Sequence, residues 1–189
     1  MNRSALIVIA FAAIVAIFLR LSGIPTLNFS ALGGLAVLCG AAMPRRPFAI
    51  LVVLAVRLLT DAVLEARTGY GWYESMAWDY GAYALMVALG AWLRPKHLLS
   101  GVTTGLVAAL TFFVVSNFGV WISSHGGDPV ASRDAAGLLR CYELGLPFLG
   151  RSIVSDMLFS GVFIAAWQWM RQPTSAAAAV PASVGSDAG

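Results

Sequence analysis

Charge is the scarcest property of this chain. Only 11% of its 189 residues are Asp, Glu, Lys or Arg, against about 25% in soluble domains. That is too little polar surface to clothe a globule in water. Histidine and cysteine are nearly absent, with two of each. Cys39 and Cys141 have no cysteine or histidine at metal-ligand spacing, which argues against a zinc or iron–sulfur site and allows one disulfide at most. A Walker loop, an HExxH motif, a Gly-x-Ser-x-Gly elbow and any nucleophile–base pair are also missing. No catalytic residue and no cofactor are therefore expected, and any ATP hydrolysis falls to another chain. The net charge is +3, but the basic residues are scattered and form no phosphate-binding patch, so nucleic acid is not an expected partner.

Apolar sequence is what the chain has in abundance. Apolar residues make up 59% of it and its mean hydropathy is +0.81. Whole stretches are apolar on every face, as in helices immersed in lipid. Six spans can be marked: Ala5 to Leu21, Ala31 to Met43, Pro47 to Ala66, Trp78 to Leu93, Leu99 to Ser123 and Gly145 to Met170. The second is too short to cross alone, and is expected to be tilted, extended by Asn28-Phe29-Ser30, or partly re-entrant. The expected fold is all-α: a polytopic membrane protein, a bundle of about six transmembrane helices over residues 1–172. Residues 173–189, mostly Ala, Ser, Val and Gly with a single charge, read as a disordered cytoplasmic tail.

Loop charge sets the expected orientation. Arg3, Arg45, Arg46, Arg94, Lys96 and Arg171 fall on one side, and Arg67, Arg133 and Arg140 on the other. The positive-inside rule places the first set, and with it both termini, in the cytoplasm. Trp72, Tyr73, Trp78, Tyr80 and Trp121 then fall near the outer boundary, and Trp167 and Trp169 near the inner one. Arg3 ahead of the first apolar run could begin a signal peptide, but the run lacks an Ala-x-Ala site and carries Arg20 near its end. Ala12-x-x-x-Ala16 and Gly101-x-x-x-Gly105 are small-residue faces suited to close helix packing. A docking surface on Ala12 and Ala16 is the alternative use of the first.

Ionisable groups inside the spans are the residues expected to matter, since each costs at least ~2.5–3.5 kcal/mol to insert. Span three holds Arg57 and Asp61, and span six holds Arg151 and Asp156. Counting ~1.5 Å per residue along antiparallel helices matches Arg57 with Asp156, and Asp61 with Arg151. Such pairs either lock the two helices together or face a cavity and meet a ligand. Asn28, Ser30, Asp79, Tyr80, Asn117, Cys141, Tyr142 and Glu143 cluster toward the same outer depth. Together they suggest a polar pocket open to the outside. The candidate binding set is Asn28, Asp61, Tyr80, Asn117, Trp121, Cys141, Tyr142, Arg151 and Asp156.

Asn28-Phe29-Ser30-Ala31-Leu32-Gly33-Gly34, Leu59-Thr60-Asp61, Ser116-Asn117-Phe118-Gly119-Val120-Trp121, Cys141-Tyr142 with Gly145-Leu146-Pro147-Phe148, and Asp156 carry a resemblance. They resemble an uncharacterised bacterial family of proposed membrane transport proteins, similar to the substrate-binding S components of energy-coupling-factor (ECF) transporters. The resemblance covers about residues 5–170. It implies a six-helix protein of the bacterial inner membrane that captures a vitamin or metal-like micronutrient from outside. It also implies an energy-coupling membrane subunit and ATPases as partners. Two other classes stay open on the residues alone. An intramembrane enzyme would draw on Asp61, Asp156 and Cys141, and a structural or assembly subunit would need only the packing faces and paired charges.

Overall fold

A computed structural model of the protein describes residues 3–22, 29–125, 130 and 132–172. Asn28 and the tail beyond Gln172 lie outside the described residues. Six helices and no strands occur among those described: α1 Arg3–Leu21, α2 Leu32–Ala42, α3 Arg46–Thr68, α4 Met76–Leu93, α5 Leu98–Ser123 and α6 Ala135–Trp169. Four of them, α1, α3, α5 and α6, are long and apolar enough to cross a membrane. Large apolar side chains such as Ile7, Phe11, Ile14 and Phe18 on α1 point outward, as a lipid-facing surface requires.

Local chemistry sets most helix ends. Pro47 falls in the first turn of α3, where its missing N–H costs nothing. The same helix stops at Gly69, whose φ of 73° is left-handed and lets its N–H reach the Glu65 carbonyl at 2.9 Å. Helix α5 opens on a capping box. The His97 Nδ1 accepts from the Ser100 amide at 3.2 Å, and the Ser100 hydroxyl accepts from the His97 amide at 3.0 Å. Arg46 closes α2 by donating to the carbonyls of Gly40 and Met43, the end where orphan acceptors collect.

Helix α6 departs from expectation. It begins at Ala135, ten residues before the expected Gly145, because Asp134 caps it by accepting from the Gly137 amide at 2.8 Å. That amide holds the Asp134 carboxyl below its ordinary range. The cap's contribution is therefore complete above the ordinary carboxylate pKa and is lost only as pH falls through the lowered value. Pro147 lies inside the helix, where it cannot donate to the Glu143 carbonyl, yet the helix runs on through it.

The registers show alternating directions. Arg20 meets Asp61 and Arg67 meets the Leu21 carbonyl, so α1 and α3 run parallel. Asp61 meets Tyr80 while Arg57 lies by Tyr83, so α4 runs back against α3. Gly101 lies on Ser160 and Gly161, Gly105 on Asp156, and Gly145 on Asn117, which makes α5 and α6 antiparallel. The Gly101/Gly105 face thus serves internal packing, as do Ala12 and Ala16, both fully buried. Helix α2 touches all five others, and every residue from Leu32 to Gly40 is buried. A helix apolar on every side is stable only when enclosed. Its Gly40 lies against the α4 backbone at Val87 and Ala91, and Gly90 of α4 lies against Val37.

Candidate functional site

Helix α2 has only 11 residues, about 16 Å of rise, while its neighbours run on past its first residue, Leu32. Over its start sits a cavity of about 860 Å³. Arg20 of α1, Ser30 and Gly33 at the α2 entrance, Arg57 of α3, Asp79 and Tyr83 of α4, Asn117 of α5, and Cys141 and Asp156 of α6 all line it. Exposed Tyr70 and Tyr73 stand at its rim, in the α3–α4 connection.

The α1–α3–α4 wall is a connected charge network, with Arg20 Nε left as a buried donor without a partner among the described residues. Asp61 has no exposed surface. It accepts from Arg20, from Arg57 Nε at 2.8 Å and from the Tyr80 hydroxyl at 2.8 Å. Arg57 also donates to the Tyr73 hydroxyl at 2.5 Å, which in turn donates to Asp79 at 2.5 Å. Arg57 lies 3.5 Å from the Asp79 carboxylate, with its guanidinium 5.6 Å from the Tyr83 ring centre. Burial pushes the Tyr73 hydroxyl well above its ordinary range, so it remains a protonated link between Arg57 and Asp79. The Glu65 carboxylate accepts from the amides of Gly71 and Trp72 at 2.8 and 3.2 Å and folds the connection so that Tyr73 turns inward. Two arginines and two aspartates balance one another, and a buried ionic group is tolerable only when satisfied in this way.

This wall corrects the expected pairing. Arg57 does not meet Asp156, and Asp61 does not meet Arg151. Depth along a helix does not fix which way a side chain faces. Arg57 turns toward α4, Arg151 is exposed on the outside of α6, and Asp156 turns toward α2. Asp156 is 6% exposed. It makes no hydrogen bond or ion pair among the described residues. A methyl group placed on Gly33 would collide with its carboxylate.

On the α5–α6 wall, Asn117 Nδ2 donates back to the Phe113 carbonyl at 2.8 Å. The amide is thereby fixed in place, and its backbone carbonyl accepts from the Cys141 thiol at 3.2 Å. Both cysteines are free thiols. Tyr142 donates to the Val114 carbonyl at 2.9 Å, and Trp121 Nε1 to the Ser132 carbonyl at 2.8 Å. Of the expected binding set, Asn117, Cys141 and Asp156 line the cavity. Asp61 and Tyr80 stand behind Arg57, Tyr142 braces the α5–α6 seam, Trp121 ties α5 to the connection before α6, and Arg151 lies apart. Arg20, Tyr73 and Asp79 complete the charged wall and were absent from that set. Asp61, Asp156 and Cys141 each have different neighbours and form no hydrogen-bonded set.

No curated protein matches this chain, and no solved structure does. A family model does match, over residues 1–179, and its description is a family of unknown function. With nearly the whole length aligned, including every helix that builds the cavity, the chain belongs to that family, DUF6580.

Proposed function

We propose that this protein captures a small polar molecule in the cavity above α2, as a membrane transport protein resembling an ECF S component. In this reading it crosses the bacterial cytoplasmic membrane six times, with both termini in the cytoplasm and the cavity facing outward. The ligand passes to an energy-coupling subunit and its ATPases. The observation that carries the proposal is the cavity itself. Its volume of about 860 Å³ lies within the range of small-molecule sites, roughly 300–1,000 Å³. Polar groups from separate helices converge on it, and aromatic and aliphatic side chains fill the rest of its walls. A packing-only subunit has no use for such a space, because unfilled volume forfeits packing energy.

Orientation is tested with reporter fusions. Fusions after Met43, Lys96 and Arg171 should report cytoplasm, and fusions after Arg67 and Arg133 the outside. An external C-terminus would overturn the six-crossing reading. Binding is tested by a ligand-stabilisation screen on purified protein, with Asn117→Ala as the cavity variant. Asn117 bonds to its own helix, so its loss should leave the melting temperature within a few degrees of wild type. A ligand that uses its free carbonyl oxygen should bind about 10-fold more weakly, the loss of one hydrogen bond. If no compound shifts the wild-type melting temperature, the binding reading fails.

A further inference from the structure

Resting on the reading of this cavity as a binding site, we propose that its ligand is an organic cation, with Asp156 as counter-ion to an ammonium-type group. The charges facing the cavity can be counted helix by helix. α1 supplies Arg20, α3 supplies Arg57, α4 supplies Asp79 and α6 supplies Asp156, while α2 and α5 line it without a charged side chain. Arg20 and Arg57 are already matched by Asp61 behind the wall and by Asp79 within it. Asp156 is left over. Its carboxylate is buried, lines the cavity and has no partner among the described residues.

A lone carboxylate in a low dielectric is the costliest group in the site until a cation or proton meets it. Neither arginine is free to do so, since both are held on the opposite wall. Nor is Arg151, which faces outward. Gly33 permits the approach, because any side chain there would occupy the space the carboxylate fills.

The remaining surroundings select the kind of cation. Magnesium and calcium need six or more oxygen ligands around them, and among the described residues no three His, Cys, Asp or Glu side chains gather to hold a metal ion. Aromatic rings are present instead. Phe29, Tyr83 and Phe112 line the cavity, with Tyr83 and Phe112 in tilted contact at 5.1 Å. Ring faces attract organic cations, and aromatic walls recur in sites for quaternary ammonium groups. A net anion would add repulsion at Asp156 and meet arginines whose charge Asp61 and Asp79 already balance.

The test uses the full chain in detergent. Isothermal titration and thermal shift are run with organic monocations, benzyltrimethylammonium and tryptamine, beside benzoate and benzyl alcohol as anionic and neutral counterparts of similar size. The cations should bind and raise the melting temperature, and benzoate and benzyl alcohol should not. Asp156→Asn keeps the shape and removes the charge, and it should weaken cation binding about 10- to 100-fold. Three results would each overturn the assignment: no preference for cation over neutral compound, cation affinity within twofold of wild type in Asp156→Asn, or no cation binding at all. Should Asp156→Asn not fold, the charge preference of the wild-type protein decides alone. Binding of a neutral or anionic compound that Asn117→Ala weakens would remove the cation assignment and leave the binding site standing. A screen with no ligand of any charge would remove both.

Discussion

Asp61→Ala should lower the stability of the folded protein by about 3–5 kcal/mol, the usual cost of stripping one partner from a buried ionic group. The side chain is fully buried and accepts from three helices at once: Arg20 of α1, Arg57 of its own helix and Tyr80 of α4. Its loss leaves Arg57 with Asp79 and Tyr73 and leaves Arg20 without its acceptor. Tyr80→Phe removes a single hydrogen bond to the same carboxylate and should cost about 1.5–3 kcal/mol at most. Thermal or denaturant unfolding in detergent ranks the two. A double-mutant cycle adds direction. Asp61→Ala with Arg20→Met should be strongly non-additive, whereas Asp61→Ala with Arg151→Gln should simply add. Coupling to Arg151, or a ranking with Tyr80→Phe the more damaging, would mean the network is wrong.

The second large effect is expected at the seam between α2 and α4. A side chain on Gly40 would strike the Val87 carbonyl and the Ala91 amide, and one on Gly90 would strike the Val37 backbone. These neighbours are backbone atoms in helices and cannot swing aside. Gly40→Val should therefore cost about 3 kcal/mol, at the upper end of the overpacking range. Gly40→Ala and Gly90→Ala together should cost less than their sum, because the helices separated by the first methyl already have room for the second. Additive losses would show that the two sites do not share one seam. Unchanged stability in Gly40→Val would show that no seam exists.

Much of the helical layout was legible in the sequence, and the errors have identifiable causes. Apolar runs located α1, α3, α4 and α5 to within two residues at each end. The start of α6 was missed because Arg140 and Glu143 lower the hydropathy of a helix whose true start signal is the Asp134 cap. The Arg20–Asp61 pair could have been found by the counting that produced the wrong pairs. At ~1.5 Å per residue, Arg20 lies about 26 Å along α1 and Asp61 about 23 Å along the parallel α3. Arg57 and Asp61 are four residues apart, the spacing that puts two side chains on one helical face, yet counting by depth matches each to span six instead of to the other. What the sequence withheld was azimuth. Nothing in the order of residues says that Asp156 turns toward Gly33 rather than toward Arg57. The polar character of the pocket was legible from Asn117, Cys141 and Asp156, while its shape was not, because the space exists only where α2 falls short.

Enclosure of α2 by all five other helices bears on the order in which the chain assembles. At about 16 Å it covers roughly half of the ~30 Å of hydrocarbon, and as an isolated segment it cannot hold a transmembrane position. Gly33, Gly34 and Gly40, which permit its tight seams, also make it a poor helix by itself. In the six-crossing reading, insertion of α2 should therefore depend on its longer neighbours, and its coat is finished only when α4, α5 and α6 close around it. Ordering of α2 and closure of the bundle should, in that reading, be one cooperative event, late in biogenesis.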